Sequence, residues 1–356
     1  MTDSFVHTSY ASRVVFGPGT LEQVAAEVEL LGVRRALVIA TGSAQQAADV
    51  VEEALTERFA GRIDGVRQHV PTEVAEAARA TAREVEADGI VAIGGGSAIG
   101  LAKAIALTAD VKILAVPTTY AGSEMTPVWG ETSGGSKTTG TDVRVLPKTV
   151  VYDPMLTLQL PLHTTAASVA NALAHCVEAV WTERANPITE TAAVEAAKAL
   201  ADGFRELLRE PEPRSQHGLT SPADLSARGE LLFGACLAGS ALASAGTGVH
   251  HKLCHLLGGT YNLPHAETHA AVLPQVARVK AAEVPRAKAR LEEALQTDDL
   301  ATGLFDLFKA ANIPTSLQAL GLTREQAAEA ADRFPGDVEE ILTRAWAGTR
   351  PEGAER

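Results

Sequence analysis

The sequence predicts an α/β N-terminal domain built on a parallel, Rossmann-like sheet, followed by an all-α C-terminal domain. Three observations carry that expectation. Short apolar runs alternate with helical stretches in the first half of the 356-residue chain, as a parallel sheet covered on both faces requires. Such runs disappear near "YDPMLTLQLP", and apolar residues then recur at a helical period. A glycine-rich turn, "GGGS", stands between an apolar run and a helix, the place where parallel α/β domains hold phosphate groups. The boundary falls near Asp153-Pro154, dividing residues 1–154 from 155–356.

In chain order, "RVVF", "ALVIA", "GIVAI", "KILAV" and "TVVYD" read as strands. They are continuous apolar runs rather than alternating ones, which marks strands buried on both faces. "PTEVAEAARATAREVEADG" reads as a helix, alanine-rich, acidic at its start and ended by Asp88-Gly89. In the second half "TTAASVANALAHCVEAVWTERA", "ITETAAVEAAKALADGFRELLR", "ADLSARGELLFGACLAGSALASAGTGVHHKLCHLL" and "TREQAAEAADRF" read as helices. "EPEPRSQHGLTSPAD" is a loop by composition, and the final "GTRPEGAER" is expected to fray.

Composition narrows the function classes. With 46% hydrophobic and 21% charged residues the chain has an ordinary globular balance. No apolar run reaches the roughly 18–20 residues needed to span a bilayer, and "MTDSFVHTSYASRVVF" lacks the basic start and apolar block of a secretory signal. The three cysteines, Cys176, Cys236 and Cys254, are an odd count without CxxC spacing, so a reducing cytoplasm is expected. A formal net charge of −13 repels nucleic acid and anionic membranes, and neither is expected as a partner. A small anionic substrate responds to the local field of its pocket and stays compatible.

"GIVAIGGGSAIGLAKAIAL" reads strand, turn, helix, with Gly94, Gly95, Gly96 and Ser97 at the turn. Glycine permits a tight turn and close approach of a ligand to the backbone. The free N–H groups and positive end of the next helix favour a phosphate. The spacing differs from the common GxGxxG fingerprint. A second loop, "AVPTTYAGSEMT", follows the next strand and offers the hydroxyls of Thr118, Thr119 and Ser123, with Tyr120 between them. Loops at the carboxyl ends of neighbouring parallel strands face one crevice, so a pyrophosphate-bearing nucleotide is the expected ligand. After "ALVIA" stands Thr41-Gly42-Ser43. No acidic residue is there to hold a ribose 2′-hydroxyl, and the usual cue for NAD over NADP is missing.

Five of the ten histidines lie within "VHHKLCHLLGGTYNLPHAETH": His250, His251, His255, His265 and His269. His251 and His255 are one helical turn apart, and Pro264 suits the first turn of a helix that starts near His265. This geometry points His251, His255 and His265 into one space. In "VANALAHCVEAVW", Asn171 and His175 are likewise one turn apart. Three histidines and a carboxylate suit a divalent metal, yet Asn171 is neutral where that carboxylate is expected. Glu178 lies on a neighbouring face.

The stretches "GGGSAIGLAKAIAL", "VPTTYAGSEMT", "NALAHCVEA" and "HHKLCHLLGGTYNLPHAE" together resemble the iron-containing alcohol dehydrogenase superfamily, and within it the maleylacetate reductases. The resemblance covers nearly the whole chain. It implies a dehydroquinate synthase-like architecture, an NADH or NADPH cofactor, a homodimer and a small dicarboxylate substrate. In metal-dependent members the ligands are an Asp, a His four residues later and two His fourteen apart. These positions map to Asn171, His175, His251 and His265, so a metal ion is not expected to be required. The family's GGGSxxD ends here in Gly100, and its PTTxGTGSE loop is shortened to "PTTYAGSE". Lys137 stands where the superfamily places a lysine near the cofactor ribose.

The implied reaction is reduction of the C=C bond of maleylacetate to 3-oxoadipate, late in aromatic-ring degradation. Hydride addition to the alkene carbon remote from the ketone gives an enolate. The site must then stabilise that oxyanion and protonate carbon. His175, His251, His255 and His265 are the catalytic candidates, and the sequence does not rank them. Asn171, Lys252, Tyr120 and Arg144 are the candidates for holding the substrate. Two rival readings are a metal-dependent alcohol or hydroxyacid dehydrogenase of the same superfamily and a non-catalytic nucleotide-binding sensor.

Overall fold

A computed structural model describes residues 4–68, 70–133, 136–209, 222–336 and 338–352. In chain order the α/β part comprises β1 (Arg13–Phe16), α1 (Val24–Leu30), β2 (Ala36–Ala40), α2 (Gln45–Leu55), β3 (Phe59–Ile63), α3 (Thr72–Glu84), β4 (Gly89–Gly94), α4 (Gly96–Ala106), β5 (Lys112–Pro117), β6 (Val128–Ser133), β7 (Ser136–Thr141) and β8 (Thr149–Tyr152). The helical part comprises α5 (Leu162–Ala179), α6 (Pro187–Leu208), α7 (Pro222–Ala245), α8 (Val249–Tyr261), α9 (His265–Lys280), α10 (Pro285–Ala294), α11 (Leu300–Ala310), α12 (Arg324–Arg333) and α13 (Glu339–Ala347). Contacts divide the chain into two compact units. Residues 9–160 form one with the first half of α7, through Leu232. Residues 161–209 and 233–352 form the other, together with residues 4–8.

Six parallel strands make the main sheet, in the order β1-β8-β5-β4-β2-β3. The expected runs form its four inner strands and the edge strand β1, and the α/β-plus-helical class is the one observed. Alternation sends Val38, Val91, Ile93, Leu114, Val116 and Val151 to one face, where they pack with Val24, Val28, Ala48 and Val51 of α1 and α2. Leu37, Ile39, Ile90 and Ile113, on the other face, are equally buried. Burial on both faces is why β2, β4, β5 and β8 read as unbroken apolar runs; β1, at the sheet edge, departs from that expectation, with Val14 and Phe16 exposed. Register places the ends of β2, β4 and β5 level: Ala40 pairs with Ile93, and Gly94 with Pro117.

Three elements depart from the sequence reading. β3, "FAGRI", is a half-buried edge strand, and β6 and β7 form a separate antiparallel hairpin, polar beyond Val128 and Trp129. Neither contains an apolar run. The stretch read as one helix from Ala223 to Leu257 is two, because α7 stops at Ala245 and α8 starts at Val249, bent by 100°. Gly246 adopts a φ of 77° at the break, a conformation that glycine tolerates best. "WTERA" lies beyond the end of α5. Most of the expected loop at 210–221 and the last four residues of the chain lie outside the described residues.

In the helical unit, α5 is buried on every side from Thr165 to Ala179. α6 starts with a capping box, Asn186 with Thr189, which satisfies donors that a helix start leaves open. Leu253 and Leu257 of α8 pack with Val272 and Val276 of α9, Ala330 of α12 and Ile341 of α13. No single described helix is long and apolar enough to cross a membrane.

Candidate active site

The glycine turn sits where backbone approach leaves no room for side chains. Gly94 has a φ of 149°, and a Cβ there would meet Thr41 Cγ2 at 2.6 Å. At Gly95 it would meet Thr119 Cγ2 at 2.9 Å, and at Gly96 the nearest atom is Ser123 Oγ at 3.8 Å. Thr41, Thr119 and Ser123 therefore ring the first turn of α4, where Gly96 is exposed and Ser97 half-buried. Thr118 is buried, and its N–H donates to the Gly94 carbonyl at 3.1 Å. Ser123 Oγ is buried without a partner. Thr41, Thr118 and Thr119 at strand ends, Ser123 in the following loop and one helix start thus form a cradle of N–H and hydroxyl groups, suited to a phosphate.

Two buried charges under this cradle escaped the sequence reading. Lys103 of α4 is 2% exposed and donates to the carbonyls of Ser123, Thr126 and Val128 at 2.7, 2.8 and 2.8 Å. Burial lowers its ammonium to about 7, with the Glu124 carboxylate opposing. Three carbonyls use three ammonium hydrogens, more than a neutral amine supplies, so the charged form is the one this pocket holds. Glu124 is also buried and accepts from Tyr152 Oη at 2.7 Å. Burial pushes its carboxyl up, against that hydrogen bond. The signals were an interior lysine in "GLAKAIAL" and the acid of "AGSEMT".

The other residues expected in this unit are placed as follows. Lys137 is in β7, opposite Thr132. Tyr120 is fully buried, and its hydroxyl accepts from Arg228 at 3.3 Å. Burial pushes its phenol up. Arg144 is exposed and forms a two-point ion pair with Asp142, at 3.1 and 2.6 Å.

The helical unit gathers the histidines. α5 carries Asn171, His175 and Glu178 at intervals of four and three, hence on one face. Glu178 is fully buried. Its carboxylate accepts from the backbone N–H of His250 at 2.7 Å and of His251 at 3.4 Å, and from His251 Nδ1. It therefore caps the positive end of α8. A Cβ at Gly248 would meet Glu178 Oε1 at 2.9 Å, so glycine is what admits the carboxylate. Burial opposes ionisation of Glu178, but the charge and hydrogen bond of His251 outweigh it and lower the carboxyl to about 2.

The rings form a continuous cluster. His175 stacks on His251 with centroids 5.1 Å apart, and His255 stacks on His265 at 5.9 Å. His251 and His255 meet edge to face at 6.3 Å. The four candidate histidines are thus brought together. His269 was not among them, yet its ring lies 4.5 Å from that of His265 and 4.8 Å from that of His251. His250 Nε2 and His269 Nδ1 are 2.8 Å apart. Burial drives His175 and His269 well below the usual imidazole range and His250 to about 3. These three are neutral rings, each with one donor and one acceptor nitrogen. Asn171 Oδ1, His175 Nδ1, His251 Nε2 and His269 Nε2 are buried without partners. Lys252 is exposed on a different face of α8.

Residues 11–154 match the family described as iron-containing alcohol dehydrogenase, and residues 165–340 match the C-terminal part of the Fe-containing alcohol dehydrogenase family. The chain belongs to the iron-containing alcohol dehydrogenase family. It is 44% identical over 362 residues to maleylacetate reductase 1 of Rhodococcus opacus, covering 98% of each chain. The crystal structure of maleylacetate reductase from Rhizobium sp. strain MTP-10005 superposes with a TM-score of 0.90 at 38% identity, covering 98% of this chain and 100% of that one. The sulfoacetaldehyde reductase of Bifidobacterium kashiwanohense, solved with NAD+, shares the fold at a TM-score of 0.84 and 22% identity, covering 97% and 98% of the two chains. Iron-containing alcohol dehydrogenases are NAD(P)-dependent oxidoreductases.

The positions that hold the ion in metal-dependent members of the family do not fit one here. Asn171 supplies no negative charge. A tetrahedral ion with bonds of about 2.1 Å holds its ligand atoms about 3.4 Å apart. Among the described residues, the one trio of histidine, cysteine or carboxylate side chains with ligand atoms within 4.8 Å of one another is His250, Cys254 and His269; His175, His251 and His265 are not such a trio. His175 and His251 are stacked, 23° from parallel, with centroids 5.1 Å apart. In the inner trio, the 2.8 Å approach of His250 to His269 is a hydrogen bond, shorter than a shared ion would impose.

Proposed function

We propose that this protein reduces maleylacetate to 3-oxoadipate with NADH or NADPH. The observation that carries the reading is likeness over nearly the full length to maleylacetate reductases, at 44% identity across 98% of the chain. The glycine turn, Thr118, Thr119 and Ser123 bind the cofactor, with Lys137 near its ribose. A hydride from the nicotinamide adds to the alkene carbon remote from the ketone. The electron pair of the C=C bond moves toward the ketone oxygen, giving an enolate. Re-formation of the ketone takes a proton at the adjacent carbon.

His251 donates to the enolate oxygen in this scheme. Its Nδ1 is engaged by the Glu178 carboxylate, and its Nε2 is buried and free to face a substrate. Donation from both ring nitrogens takes the imidazolium form, to which the Glu178 carboxylate is the counter-charge. His255 and His265, half-buried and stacked, supply the proton at carbon. The side-chain NH2 of Asn171 and the Nδ1 of His175, which otherwise lacks a partner, hold the substrate beside them. Such donors contribute about 3–4 kcal/mol each in comparable oxyanion sites. Turnover proceeds without a metal ion. The protein acts as a cytoplasmic homodimer at a late step of aromatic-ring degradation.

The test is consumption of NADH and NADPH with maleylacetate, before and after chelation, with metal analysis of the same sample. Maleylacetate-dependent oxidation that survives chelation is expected. Stoichiometric iron or zinc that is required for turnover overturns the metal-free mechanism and favours an alcohol or hydroxyacid dehydrogenase. Cofactor oxidation indifferent to maleylacetate overturns the substrate.

A further inference from the structure

Lys103 has no part in the chemistry above, yet it is a cation buried in the cofactor unit. It lies seven residues beyond Gly96, two turns along α4. Of its three carbonyl acceptors, Ser123 and Thr126 lie in the segment between β5 and β6, and Val128 opens β6. Ser123 O also accepts from the Thr126 N–H at 3.2 Å, but a carbonyl can take two donors, and buried carbonyls demand them. One ammonium closes all three. Thr126 Oγ1 completes the knot: it lies 3.2 Å from Lys103 Nζ, donates to Ser123 O at 3.0 Å and accepts from Val128 N at 3.3 Å. Glu124 holds the same loop from the other side through Tyr152 of β8.

We propose that Lys103 is a positioning residue for the nicotinamide cofactor, tying the Ser123–Val128 loop to the helix whose first turn receives the pyrophosphate. The inference rests on the NAD(P)H-dependent reading of the cradle. It explains why Ser123 Oγ is held, unpartnered, 3.8 Å from the Cβ position of Gly96. Glycine turn, helix start and hydroxyl loop become one pre-ordered body. Without the ammonium the loop must be ordered when the cofactor binds, and that ordering subtracts from affinity. The histidines that perform the chemistry are untouched.

The experiment uses the full chain as wild type, Lys103→Met and Lys103→Arg. NADH affinity is read by fluorescence titration, and kcat and KM by steady-state assay. Lys103→Met is expected to raise both the Kd and the KM for NADH by about tenfold or more. It should change kcat at saturating NADH by less than about threefold and leave the KM for maleylacetate as it is. Lys103→Arg, which keeps the cation, should recover part of the affinity. A lysine that merely supports the fold would lower Tm and the active fraction but leave the NADH Kd of the folded protein unchanged, and that result overturns the proposal. Should Lys103→Met fail to fold, Thr126→Val replaces it: it must raise the NADH Kd by about threefold or more, and an unchanged Kd overturns the proposal. A wild-type protein that binds neither NADH nor NADPH overturns the cofactor reading itself and this inference with it.

Discussion

Glu178 answers three donors at once: two backbone N–H groups at the start of α8 and the Nδ1 of His251. A glutamine of the same shape keeps one acceptor oxygen and turns an NH2 group toward donors. At least one buried donor is then left open, at about 1–3 kcal/mol. The His251 ring also loses its counter-charge. Glu178→Gln is therefore expected to lower Tm and to reduce kcat by about tenfold or more, with NADH affinity unchanged. Lowered Tm with wild-type kcat would make Glu178 a helix cap and nothing else. The expectation that Glu178 lies on a neighbouring face is corrected here: spacings of four and three put 171, 175 and 178 on one face of α5, where Glu178 meets His251. His269 escaped the sequence reading: spacing shows that His265 and His269 share a face, but not that His250 fixes the inner ring.

The turn from β4 into α4 shows how tightly an element can specify a residue. Gly94 ends the strand at a φ of 149°, and its missing Cβ is the space filled by Thr41 and Ala98, the latter 3.0 Å from that position. Gly94→Ala meets both a backbone region closed to side chains and a clash. A stability loss of about 1–3 kcal/mol is expected. NADH binding should fall with it, because the helix start moves; thermal melts and NADH titration check the two. Wild-type affinity in a stable Gly94→Ala protein would remove the turn from the cofactor site. The central strands and this turn were legible because burial on both faces writes an apolar run and close packing against Thr41, Thr119 and Ala98 writes glycines. β3 and the β6–β7 hairpin were not, because edge and solvent-facing strands need no such run. The break between α7 and α8 was marked only by Gly246 and Gly248, in a stretch whose apolar period continues on both sides. Isolated glycines inside helices are common enough to hide a true stop.

The compact units do not follow the chain's linear order, and this decides what can be cut apart. Residues 9–160 pack with the first half of α7, although α5 and α6 intervene. Arg228 on that half-helix is buried, donates to the Tyr120 hydroxyl at 3.3 Å and to the Thr157 carbonyl, and pairs with Asp224 at 3.0 Å. Ala227, Leu231 and Leu232 are buried beside it. A fragment of residues 1–160 contains every strand of the sheet and the whole glycine turn. By sequence it looks like a self-sufficient nucleotide-binding domain. It loses a charged hydrogen-bonding partner worth about 1.5–3 kcal/mol, and two leucine side chains at about 1.5–3 kcal/mol each. A domain of this size shifts by about 2–4 °C in Tm per kcal/mol. The fragment is therefore expected to melt at least about 10 °C below the full chain or to aggregate. Co-expression with residues 161–356, which carry α7, should restore solubility and NADH binding. Circular dichroism melts and NADH titration of the three preparations check this. A fragment as stable as the full chain, binding NADH with the same affinity, would show the half-helix to be a passenger on a domain complete without it.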